Sequence, residues 1–211
     1  MLFSIIEMIG TVAFAIAGAM TAINVNMDLL GIIVLGEMTA VGGGCFRDVL
    51  LGRFPAGMFR TPIYVIVAFI AIMILFVIFY FWRNAAGFIA TPVYDRTLNI
   101  LDAIGLGAFT VTGINVAVGC GHADNAFFVI FLGVITGVGG GIFRDVLSGQ
   151  PPAVFRKHIY ACASIVGAFI YYYGSMKIGD YAVGICILAV TVIRILAYEY
   201  RWDLPKIHLN E

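Results

Sequence analysis

The chain has 211 residues, 62% of them hydrophobic and 11% charged, with twelve basic residues balancing twelve acidic ones. Soluble domains carry about a quarter of their residues charged, so a mean hydropathy of +1.04 puts most of this chain in lipid and leaves no room for a separate soluble domain. Zero net charge with scattered Lys and Arg argues against nucleic acid as a partner, leaving the lipid bilayer and small solutes.

A crossing helix needs roughly 20 mostly apolar residues, and seven segments supply them. The first, about Phe3 to Asn24, begins almost at Met1 with no basic leader and runs through Gly10, Gly18 and Ala22 without a cleavage motif, so a retained helix is expected rather than a signal peptide. The second runs from Leu29 to Leu51, the third from Thr61 to Trp82 and the fourth from Leu98 to Gly119. The fifth covers Ala126 to Leu147. A short sixth covers His158 to Tyr173, and Tyr181 to Tyr198 is the seventh. Aromatic-rich ends such as Phe79 to Trp82 and Tyr198 to Trp202 fit interfacial belts.

Within this series Val41-Gly-Gly-Gly-Cys-Phe-Arg-Asp-Val-Leu-Leu-Gly52 returns as Val138-Gly-Gly-Gly-Ile-Phe-Arg-Asp-Val-Leu-Ser-Gly149. The correspondence extends outward: Glu7, Gly10, Phe14, Gly18 and Thr39 answer Asp102, Gly105, Phe109, Gly113 and Thr136, and Pro55 answers Pro152. A unit of three helices must re-enter from the opposite face. The expected fold is therefore all-α integral membrane, with seven transmembrane helices forming two inverted three-helix repeats plus a seventh helix. Its parts are repeat one at 1–82, a linker at 83–97, repeat two at 98–174, and the seventh helix with a short tail at 175–211. Arg53, Arg60 and Lys177 fall on one side, against Arg83, Arg96, Arg156, Lys157, Arg201 and Lys206 on the other. Positive-inside bias then puts the N-terminus outside and the C-terminus in the cytoplasm.

The glycine triplets Gly42, Gly43, Gly44 and Gly139, Gly140, Gly141 each lower helix propensity by about 1 kcal/mol per residue relative to alanine. Two readings stand. Each triplet breaks its helix, in which case the freed backbone must face a pore or a wet cavity, or the glycines let helices pack closely. Symmetry of the two triplets favours the break, flanking the membrane midplane. Thr39 and Thr136, one turn earlier, can offer hydroxyl oxygens to a hard cation or to freed backbone. Glu37 lies about 13 Å into the second span, where a carboxylate is functional by default: it binds a permeating cation, titrates as a gate, or bonds a neighbouring hydroxyl.

Arg47 and Asp48, like Arg144 and Asp145, are adjacent and so about 100° apart on a helix, not natural partners. Depth along the spans pairs Glu7 with Arg47 at one face and Asp102 with Arg144 at the other. These pairs either lock helices together or form charged vestibules at the two mouths. Cys45, Cys120, Cys162 and Cys186 lack metal or redox spacing. His122, His158 and His208 fall in loops or the tail. No nucleophile constellation or phosphate loop is present, so no enzyme, metal site or cofactor is expected.

At the doubled Gly-Gly-Gly-x-x-Arg-Asp-Val-Leu-x-Gly-x-x-Pro signature, led by Gly10-Thr-Val-Ala-Phe-Ala-Ile-Ala-Gly18, the chain resembles the prokaryotic branch of the trimeric intracellular cation channel family, from about Ile5 to Tyr198. The resemblance implies a homotrimer in a prokaryotic cell membrane, with a potassium-permeable pore in each protomer. That pore would be lined by helices one, two, four and five near the glycine triplets, with potassium or sodium as permeant ions. Some bacterial relatives with this signature are described as glycine transporters. The sequence leaves that alternative open, with a passive structural membrane protein as a third.

Overall fold

The computed structural model describes residues 2–82, 85–156 and 159–202. Among them the chain is all-helical: α1 (Leu2–Asn24), α2 (Leu29–Leu50), α3 (Gly57–Arg60), α4 (Ile63–Phe81), α5 (Ala85–Ile89), α6 (Pro92–Ala117), α7 (Ala126–Leu147), α8 (Ala153–Arg156), α9 (Tyr160–Ile178) and α10 (Tyr181–Glu199). Six are long and apolar enough to cross a membrane. The 19-residue α9 is as long as α4 and α10 but less apolar.

Helix starts and stops follow local chemistry. Asp28 and Asn125, at equivalent places in the sequence repeat, cap α2 and α7 by accepting the N–H of Gly31 at 2.8 Å and of Phe128 at 3.1 Å, satisfying donors that a helix N-terminus leaves open. Gly52 and Gly149 terminate the same helices with φ of +64° and +72°, a conformation that costs glycine nothing. Pro92 opens α6, where its missing N–H is no loss. The helix of the fourth span thus begins six residues earlier than the apolar run, taking in Asp95, Arg96 and Thr97. The expected linker at 83–97 accordingly holds α5 and the start of α6. Past Ala117 the helix widens into a π turn over Val118–His122, which Gly121 leaves at φ +87°. The helix at the expected sixth span, α9, is longer than expected and reaches Ile178. Arg83, Lys157, His158, Lys206 and His208 lie outside the described residues.

α6 and α1 form the centre, with α2 and α7 crossing beside them, α10 and α9 packed against α6, and α4 against α1 and α2. Lipid exposure explains the composition. α4 buries only Ala68 and Ile72 and is apolar all round, whereas α6 is the most enclosed of the long helices and carries glycine, alanine and threonine along its length. Repeat-equivalent residues meet each other. The rings of Phe14 and Phe109 are 5.2 Å apart, and each lies over the other segment's glycine, Phe14 against Gly105 and Phe109 against Gly10.

The glycine triplets do not break their helices: α2 runs unbroken from Leu29 to Leu50 and α7 from Ala126 to Leu147. Gly43, Gly139 and Gly140 lie instead in the α2–α7 crossing. A Cβ on Gly43 would collide with the carbonyl oxygen of Thr136, and one on Gly140 with that of Thr39, while Gly139 lies against the Cα of Gly43. The two backbones touch, and the contact outweighs the weak helix propensity of glycine. This is the packing reading rather than the break.

Candidate functional site

Two charged clusters occupy opposite ends of the bundle. At the C-terminal end of α2, the Asp48 carboxylate is 1% exposed. It accepts Nε of Arg47 at 2.9 Å and the N–H of Gly57, at the start of α3, at 2.6 Å. Arg53 stands 3.7 Å away. The expected Glu7–Arg47 pair does not form. Arg47 turns instead to its neighbour Asp48, and Glu7 lies against Tyr64 at the start of α4. Spacing on the helix had argued against an adjacent pair, but α3 folds back over the end of α2 and holds the Asp48 carboxylate in reach of the long arginine side chain.

The repeat reproduces this unit at the end of α7. Asp145 accepts Nε of Arg144 at 2.9 Å and the N–H of Ala153, at the start of α8, at 2.7 Å. Here, however, Arg144 also gives Nη1 to Asp102 at 2.6 Å, the expected pair. A further cation, Arg194 of α10, donates Nη2 to Asn99 at 2.8 Å and reaches Asp102 at 3.5 Å. Its guanidinium stacks 4.5 Å from the Tyr160 ring centre. Charges this far from water persist only when paired. Arg194 and Asn99 lie outside the repeated motif and are not among the site residues expected from the sequence. An arginine within an otherwise apolar span was the available signal, though its partners on α6 are 95 residues away for Asn99.

This second cluster lines a cavity of about 610 Å³. Nδ2 of Asn99 and Oδ2 of Asp102 are buried behind the cavity wall and make no hydrogen bond among the described residues. Asp95, Asp145, Gln150 and Tyr198 complete its polar lining, and Thr21 and Asn24 of α1 close it opposite.

Between the clusters, Thr39 and Thr136 give their hydroxyl protons to the carbonyls of Leu35 and Leu132, each at 2.6 Å. They are fully buried against Gly18 and Gly113 respectively. Their hydroxyls therefore serve helix contact, bonding within their own helices rather than to freed backbone. Thr39→Val and Thr136→Val, which keep the shape, are expected to cost about 1 kcal/mol each, read as a small fall in thermal midpoint. Glu37 is different: both carboxylate oxygens are shielded and find no hydrogen-bond partner among the described residues. A bond to a neighbouring hydroxyl, one of the three roles the sequence leaves open for Glu37, is absent there, Thr39 being committed to Leu35.

A family model described as "Glycine transporter" matches residues 4–80 and 99–176. The chain belongs to this family. The matched segments contain both charged units and both triplets, and they leave α10, with Arg194, outside. Among relatives, the membrane protein YvgT of Bacillus subtilis is 34% identical over 206 residues, covering 98% of this chain and 96% of its own. A solved TRIC cation channel is 38% identical with a TM-score of 0.82 and covers 100% of both chains. The TRIC channel orthologue from Rhodobacter sphaeroides is 30% identical with a TM-score of 0.82, covering 95% of this chain and 99% of its own.

Proposed function

We propose that this membrane protein is a monovalent cation channel that conducts potassium, assembled as a homotrimer with a separate pore in each protomer. The observation that carries this reading is the end-to-end likeness to solved cation channels. The architecture proposed with it has seven crossings, α9 included, as two inverted repeats at 1–82 and 98–174 joined by 83–97, with 175–211 as the seventh helix and tail. The N-terminus lies outside and the C-terminus in the cytoplasm of a prokaryotic cell.

The pathway runs between α1, α2, α6 and α7 beside the glycine crossing. Glu7, Arg47 and Asp48 stand at one mouth, and Asp102, Arg144 and Asp145 at the other. Glu37 is the carboxylate at membrane depth that a permeating cation meets. A second reading, a glycine transporter, is favoured by the description of the family and by the cavity at the α7 end, where carboxylates and guanidiniums together match the two charges of a zwitterion.

Single-channel recording of the purified protein in planar bilayers under a potassium gradient separates the two. Unitary currents reversing near the potassium potential are expected, with conductance altered in Glu37→Gln. Electrical silence together with saturable glycine uptake into liposomes overturns the channel and establishes the transporter.

A further inference from the structure

We infer that Arg194 is a positioning residue that fastens the α7 end of the bundle, so that the pathway opens and closes at the α2 end; the placement of that gate rests on the channel reading above. The internal repeat supplies matched residues for the comparison. Ser4, Glu7, Arg47, Asp48 and Tyr64 at one end answer Asn99, Asp102, Arg144, Asp145 and Tyr160 at the other. At the α7 end they join α6, α7, α8, α9 and α10. Arg144 of α7 holds Asp102 of α6 at 2.6 Å and Asp145 at 2.9 Å, and Asp145 accepts the N–H of Ala153 in α8. Arg194 of α10 bonds Asn99 of α6 at 2.8 Å, stands 3.5 Å from Asp102 and lies over the Tyr160 ring of α9. Farther along, the hydroxyls of Thr110 and Ser164 meet at 2.7 Å and Tyr171 donates to Asn115 at 2.6 Å, tying α6 to α9 twice more.

At the α2 end the same residue types form two separate sets. Asp48 gathers Arg47, Arg53 and the N–H of Gly57, all within α2, α3 and the loop between them. Glu7 lies against Tyr64, which joins α1 to α4. Among the described residues no side-chain hydrogen bond or ion pair connects one set with the other. The energetic consequence differs between the ends. Parting α6 from α7 and α10 strands Asp102, Arg144 and Arg194, all of them buried, and uncompensated buried charge is costly. Parting α1 with α4 from α2 with α3 breaks no such bond, and local opening is drawn from the weakly held parts of a structure. The fastened end already holds its cavity of about 610 Å³, so solvent reaches it without movement.

Backbone amide exchange of the full-length protein in lipid nanodiscs reads the fastening without any current. Residues 46–50 and 143–147 share the sequence Phe-Arg-Asp-Val-Leu, so their intrinsic rates match and the ratio reports opening. Exchange over 46–50 is expected to be about tenfold faster, the worth of one hydrogen bond to a charged group. Arg194→Gln should bring 143–147 toward that rate and leave 46–50 unchanged, while Arg194→Lys, which keeps a charge beside Asp102, retains most of the protection. The wild-type ratio decides the point even if Arg194→Gln does not fold. The gate is read in planar bilayers through Cys45, partly buried against Met58 of α3, whose counterpart in the repeat is Ile142. A charged thiosulfonate is expected to change the current through Cys45 at a rate that follows open probability, an effect lost in Cys45→Ser. Ile142→Cys in the Cys45→Ser protein should show no such dependence. Equal exchange in the two segments, or exchange over 143–147 unmoved by Arg194→Gln, overturns the fastening. Modification of Cys45 that ignores open probability overturns the gate at the α2 end. Absence of any wild-type current overturns the channel and the gate with it, while exchange still decides the role of Arg194.

Discussion

Gly140→Ala and Gly43→Ala are each expected to destabilise the protein by about 2–3 kcal/mol, whereas Gly44→Ala, one residue along the same triplet, should be neutral or stabilising. At Gly140 and Gly43 the added methyl meets a backbone carbonyl of the other helix. No rotamer change relieves that collision, so α2 and α7 must separate, and overpacking of this kind costs 1–3 kcal/mol or more. At Gly44 the nearest atom to the new Cβ is the tip of Arg47 at 3.7 Å, an ordinary contact, and alanine gains about 1 kcal/mol of helix propensity over glycine. For a chain of this size each kcal/mol shifts the midpoint by about 2–4 °C. Thermal unfolding in detergent should therefore show Gly140→Ala and Gly43→Ala falling by about 4–12 °C, with Gly44→Ala unchanged or higher. Equal loss at all three positions would mean that the triplet acts through helix breakage and not through the crossing.

Asp102→Ala is expected to cost about 3 kcal/mol, and Glu7→Ala, its counterpart in the repeat, less than about 0.5 kcal/mol. Among the described residues, Asp102 is the one carboxylate shared by two buried guanidiniums, Arg144 at 2.6 Å and Arg194 at 3.5 Å. Removing it takes one carboxylate away from each guanidinium, and breaking a buried pair from one side costs 3–5 kcal/mol. Arg144 retains Asp145 and Arg194 retains Asn99, which holds the expected loss at the lower end. Glu7 is only partly buried and takes no part in an ion pair among the described residues, so its truncation falls within the range of ordinary surface changes. Thermal midpoints of the two variants provide the comparison. The double variant Asp102→Leu, Arg194→Leu should recover part of the loss, because it removes a buried charge along with the carboxylate it faces.

Much of this molecule is legible in its amino acids because lipid imposes a simple rule. Every crossing segment must be apolar and internally hydrogen-bonded, so the spans stand out in the sequence, with the fifth at the same bounds, Ala126–Leu147, in sequence and structure. The internal repeat and the Asp102–Arg144 pair also follow from the sequence, since 1.5 Å per residue fixes depth along a helix.

What depth does not fix is rotation and neighbour. In uniformly apolar spans no polar face says which side meets which helix. The approach of α2 to α7 at Gly43 and Gly140, the turn of Arg47 toward Asp48 under α3, and the arrival of Arg194 beside Asp102 were therefore decided by tertiary packing. Helix continuity through the triplets belongs with them. A propensity deficit of about 1 kcal/mol per glycine is a local preference, and the contact of two backbones that only glycine permits is a larger, non-local term that no single segment contains.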